Sequence, residues 1–142
     1  MASLVLSGDT SGSVTISVPN IAGANVVTMP AGTGVFNVSS STTTTSTATL
    51  TPVATGSQQY NLTAQAVNLT IAAPTGTPID AQRLMFRILD NGTARTITWN
   101  ATYTAIGIAL PTTTVVNKTT YVGCTYNANN VRWDVIAVTT QA

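Results

Sequence analysis

The chain has 142 residues, 44% hydrophobic but only 6% charged, with a net charge of +1 and no histidine. Ordinary soluble domains carry about 25% charged residues, so the polar surface here has to be built from threonine, serine and asparagine. The basic residues Arg83, Arg87, Arg95, Lys118 and Arg132 form no stripe, which argues against a nucleic-acid partner. No apolar run approaches the roughly 18 residues of a membrane span, so no membrane partner is expected.

The opening Met-Ala-Ser-Leu-Val-Leu-Ser-Gly-Asp-Thr has neither a positive stretch nor a sustained apolar one, so no signal peptide is read. Cys124 is the single cysteine, which excludes an intrachain disulfide and suits folding in a reducing cytoplasm. Asn-x-Ser/Thr triplets begin at Asn37, Asn61, Asn68, Asn91, Asn100 and Asn117. Without a secretory address they are read as the chance yield of a Thr-rich chain, not as glycosylation sites.

In chain order, residues 1–38 form a β-rich arm. Leu4-Val5-Leu6 precedes a Gly8–Gly12 turn, Val14, Ile16 and Val18 alternate at period two, and Pro19-Asn20 closes that strand. A further strand is expected over Asn25–Met29, stopped by Pro30. These pieces cannot bury a face alone, because an isolated hairpin is marginal in water. Residues 39–52, mostly Ser and Thr, lack the alternation that sets a register and are expected as a linker or loop. The other reading is a strand with a threonine ladder.

Residues 53–142 carry closely spaced strand patterns and turns, and no window has a helical period. Val67, Leu69, Ile71 and Ala73 form one apolar side of a strand that ends at Pro74–Pro78. Asn91-Gly92 between two strand patterns predicts a type I′ hairpin. Counting outward sets Leu84 opposite Trp99, Phe86 opposite Ile97 and Ile88 opposite Arg95, with Met85 and Arg87 on the other face. The last hairpin, around Asn127–Asn130, sets Tyr126 opposite Val131, Cys124 opposite Trp133 and Val122 opposite Val135. The expected fold is all-β: an antiparallel β-sandwich or barrel-like domain over 53–142, preceded by the β-rich arm.

The absence of both histidine and glutamate removes the commonest general base and metal ligand, and every Ser-His-Asp or Cys-His arrangement. Asp9, Asp80 and Asp90 sit in turn contexts, and Asp134 lies on a wet strand face near Arg132. Cys124 reads as a small buried hydrophobe, Lys118 as a solvated strand-end lysine, and Gly32-Thr33-Gly34 as no phosphate loop. Trp99 and Trp133 are expected in the core, whereas Tyr103 is a candidate for exposure and glycan contact. No catalytic, cofactor or metal site is expected, and the chain is read as no enzyme.

Two stretches carry a resemblance. Asp90-Asn91-Gly92-Thr93-Ala94-Arg95-Thr96-Ile97-Thr98-Trp99, with Ala109–Thr114, Lys118–Tyr121 and Trp133-Asp134-Val135, resembles a module of structural proteins in tailed bacteriophages. Ser11–Thr15 and Met29–Gly34 resemble a short β motif near the start of phage fibre and virion proteins. The resemblance implies a virion component made in the bacterial host cytoplasm, homotrimeric and without a cofactor. A compact chain without a fibre shaft better suits a capsid decoration (cement) protein that stabilises the head shell by binding the major capsid protein. The alternative is a tail or head fibre component acting as a receptor- or sugar-binding adhesin. In either case intermolecular contact is expected through Leu4, Leu6, Val14, Ile16 and Val18.

Overall fold

The structure is a computed structural model describing residues 3–7, 13–17 and 39–142. The chain divides into two compact units, Met1–Val35 and Phe36–Ala142. In the first, β1 (Ser3–Ser7) and β2 (Ser13–Ser17) pair antiparallel, with Leu4 opposite Ile16 and Leu6 opposite Val14. Val18 and the strand expected over 25–29 lie outside the described residues.

The second unit is built from strands, with no helix among the described residues. In chain order these are β3 (Ser39–Thr44), β4 (Thr49–Leu50), β5 (Ser57–Gln65), β6 (Leu69–Ile71), β7 (Arg83–Asp90), β8 (Ile97–Trp99), β9 (Tyr103–Ala105), β10 (Thr119–Asn127) and β11 (Arg132–Thr140). One sheet has the order β3-β5-β7-β10-β11-β9 and the other β4-β6-β8. The larger sheet ends in two open edges, β3 and β9, so no barrel closes.

The topology corrects the antiparallel expectation. β3 with β5, β5 with β7, β4 with β6, β6 with β8 and β11 with β9 all run parallel. In this unit only β7 with β10 and β10 with β11 are antiparallel ladders. From β3 to β8 the chain alternates between the sheets, each odd strand in the larger and each even one in the smaller. Parallel neighbours need a crossover connection, and here the strand in the other sheet is that crossover.

The Asn91-Gly92 hairpin is therefore not formed, because β7 and β8 belong to different sheets. A type I′ turn needs positive φ at both central residues. Here Gly92 has φ 104° while Asn91 is not among the residues of positive φ. Asp90 Oδ1 accepts from the Gly92 amide at 2.7 Å, folding the chain into a corner instead. The alternation within β7 was nonetheless right: Leu84, Phe86 and Ile88 are buried, and Arg83, Met85 and Arg87 are exposed.

The last hairpin forms with a different register. Tyr126 pairs Trp133, Cys124 pairs Val135 and Val122 pairs Val138, with a bulge after Gly123 that leaves Ile136 unpaired. The turn residue Val131 takes φ 51°, which lengthens the loop relative to outward counting. The Tyr126 and Cys124 partners move by two residues and the Val122 partner by three, across the bulge, and Cys124, Trp133, Val122 and Val135 are all buried. The 39–52 stretch, expected as a linker, supplies β3 and β4. Its threonine and serine side chains reach β5: Asn61 Nδ2 donates to Ser41 Oγ at 2.8 Å, and Ser40 Oγ donates to Gln58 Oε1. A parallel partner strand far along the chain gave this tract the register its own sequence lacks.

One apolar cluster draws Tyr60, Leu62, Phe86, Val122 and Trp133 from the larger sheet and Leu69, Ile71 and Ile97 from the smaller. Phe86 is its aromatic centre, stacked on Tyr60 and edge-on to Trp99 and Tyr103, with centroids 5.4 to 6.0 Å away. Burying one such ring is worth on the order of 3 kcal/mol.

Candidate interaction surfaces

The buried Gln65, Gln82 and Asp90 are committed largely to backbone groups. Gln65 accepts from Thr47 N at 3.2 Å and donates to Thr47 O and Val67 O, each at 2.7 Å. Gln82 accepts from Ile79 N and donates to Gly56 O. Asp90 accepts from the Gly92 and Asn117 amides and, at 2.5 Å, from the Thr114 hydroxyl. Burial pushes the Asp90 carboxyl up, but the Thr114 hydroxyl, those two amides and the Arg95 charge outweigh it and hold it below its ordinary value. These are latches on turns between strands, since every lone pair they use points at a main-chain group or at a neighbouring hydroxyl.

The aromatics expected to decide between shell and sugar are packed. Trp133 is buried against Tyr126, and the half-buried Trp99 donates its indole N–H to Pro111 O at 2.8 Å. Tyr103, expected at the surface, is only 4% exposed. β9 presses its ring between Phe86 and Trp99, and its hydroxyl donates to Ala72 O at 3.2 Å. The exposure expectation failed because the local pattern around residue 103 shows no partner; β11, which pairs with it, lies about thirty residues on. Burial also pushes the Cys124 thiol up to about 12, so it stays protonated and is no nucleophile at neutral pH. Asp134 is held below its ordinary value first by the Asn127 amide, then by Arg132, whose Nε lies 2.7 Å from Oδ1.

Two candidate features remain among the described residues. The first is the β1–β2 ribbon, where the register sets Leu4 against Ile16 and Leu6 against Val14. The second is the outer face of the six-stranded sheet. Its cross-strand rows read Ser41, Gln59, Met85, Gly123, Ala137 and, one step along, Thr43, Asn61, Arg87, Tyr121, Thr139. The lack of a side chain at Gly123 leaves a notch in the middle of the first row. The Arg87 guanidinium lies 6.0 Å from the centre of the Tyr121 ring in the second. The alternation of Arg83, Met85 and Arg87 was visible in the sequence. Their juxtaposition with Gly123 and Ala137 was not, because it requires the β7–β10 ladder.

The chain matches no protein-family model, no curated protein and no solved structure. The phage resemblance thus rests on its sequence motifs.

Proposed function

We propose that the chain is a structural subunit of a bacteriophage virion, a capsid decoration protein that assembles as a homotrimer and binds the major capsid protein. The observation carrying this reading is the β1–β2 ribbon, part of the compact unit Met1–Val35, which brings Leu4, Leu6, Val14 and Ile16 into two cross-strand pairs. A two-stranded ribbon is marginal alone in water, so an apolar one is suited to burial against a partner. The phage resemblance supplies the identity of that partner. We read the domain as an open sandwich of a large and a small sheet, a body with few charges. Such bodies crowd on a shell without like-charge repulsion, and each bound copy stabilises the shell by linkage. The buried positions of Tyr103 and Trp133 weigh against the adhesin reading, which wanted exposed rings.

The test is removal of residues 1–35. The remaining unit should keep its β circular-dichroism spectrum and lose binding to shells assembled from the major capsid protein. Full shell binding without the arm would overturn the arm's role. A clean monomer in sedimentation of the intact chain would overturn the trimer.

A further inference from the structure

The outer face of the six-stranded sheet carries a second feature, which needs neither the arm nor the virion reading. A groove of about 440 Å³ crosses it, lined by Arg83, Met85, Gly123, Ile136, Ala137 and Gln59. Its middle is apolar: Met85 and Ile136 are 38% and 53% exposed. Its floor is the Gly123 notch, where an added Cβ would sit 3.5 Å from Ala137 Cβ and 3.6 Å from Met85 Cε. Arg83 and Arg87 stand on either side of Met85 on β7, both exposed. The one ion pair among the described residues joins Arg132 to Asp134, Asp90 is buried, and Asp80 accepts from the Ala128 amide. Among the described residues, neither Arg83 nor Arg87 has a carboxylate partner.

We propose that this groove is a docking site for an extended segment of a different protein, bearing two carboxylates four residues apart with an apolar residue between them. Residues i, i+2 and i+4 of a strand share one face, and four residues of strand span about 13 Å. Arg83, Met85 and Arg87 are spaced in that way on β7. An extended segment laid along β7 therefore sets its two carboxylates against the two guanidiniums, which bind them with directed N–H donors. Its middle side chain packs on Met85 and Ile136 over the shallow Gly123 notch. The apolar middle favours a peptide over a sulfated or phosphorylated glycan, which has no apolar group to place there. No two aspartates of this chain are four residues apart, and it has no glutamate, so a second copy does not supply the pattern.

The probe is the capped peptide Asp-Thr-Leu-Thr-Asp, titrated at millimolar concentrations into the isotope-labelled full chain and followed by NMR. The Met85 methyl and Gly123 amide should shift saturably, and the Asn-Thr-Leu-Thr-Asn peptide should bind about tenfold more weakly. Arg83→Gln with Arg87→Gln should cost a similar factor. Gly123→Ala keeps both charges and meets only ordinary van der Waals neighbours, so the spectrum should stay folded while affinity for the probe falls. A heparin oligosaccharide is the competing probe. Heparin binding that shifts the same signals and survives Gly123→Ala would overturn the peptide assignment in favour of a polyanion surface. Absence of any saturable shift with the acidic peptide would overturn it outright.

Discussion

The wound part of the domain, β3 to β8, and the closing hairpin, β10 with β11, hold their registers by different means. In the hairpin, neighbours in sequence are neighbours in space, and a bulge and a strained turn residue absorb the mismatch. In the wound part each strand pairs with one that arrives a full circuit later, and the circuits are pinned by buried side chains: Gln65 between Thr47 and Val67, Gln82 to Gly56, Asp90 to Asn117. Parallel winding displaces the register signal from turns to single polar residues. Such residues are costly to leave unpaired, and that cost makes them specific.

The largest expected effects test whether both parts share one core. Phe86→Ala in the wound part and Trp133→Ala in the hairpin should each cost about 3–5 kcal/mol in denaturant unfolding. Two separate transitions in either variant would mean that the parts are independently stable, and the comparison would fail. Next comes Gln65→Leu, which keeps the volume and abandons the Thr47 and Val67 groups. A loss of about 1–3 kcal/mol is expected, and a neutral result would show that water replaces the amide.

Asp90 separates the parts by pH. Its carboxyl is held below the ordinary value in the folded state, so the stability it contributes is complete above the unfolded value of about 4 and lost as pH falls through the lower folded one. Thermal midpoints should stay flat from neutral pH to about 5 and drop below 4. In Asp90→Asn the neutral-pH midpoint should be lower and that acid drop shallower. An unchanged acid limb would assign the drop to another carboxylate. The smallest effect belongs to the hairpin. Val131, 73% exposed, is β-branched at φ 51°, a conformation that costs an L-residue roughly 1–2 kcal/mol. Val131→Asn should therefore raise the unfolding midpoint by the equivalent of about 0.5–1 kcal/mol, and a destabilised variant would mean that the turn conformation is otherwise.

What could be read from the sequence divides along the same line. Period-two alternation placed Leu84, Phe86, Ile88, Val122, Cys124, Trp133 and Val135 on buried faces, because alternation within one strand does not depend on which strand it pairs with. The partner of each strand was another matter. Asn91-Gly92 looked like a hairpin since the same two residues serve a corner, and only the missing positive φ at Asn91 tells the two apart. The serine-threonine tract looked like a linker because no side chain in it distinguishes one register from the next. The interaction surfaces shared this fate: Arg83, Met85 and Arg87 stood out along one strand, while the notch beside them needed Gly123 from a strand almost forty residues on.

The place of β7 in its sheet, between β5 and β10, has a consequence for biosynthesis. Synthesis runs from the amino end and domains generally fold as units during it, but this sheet cannot be completed in the order in which it is made. When β7 leaves the ribosome only one of its edges has a partner. Phe86 then lacks the cover of Val122, and it gains that cover only once β10 has been translated. Between the completion of β7 and that of β10 the nascent chain thus carries an open strand edge and a partly covered aromatic ring, the combination that recruits holdase chaperones.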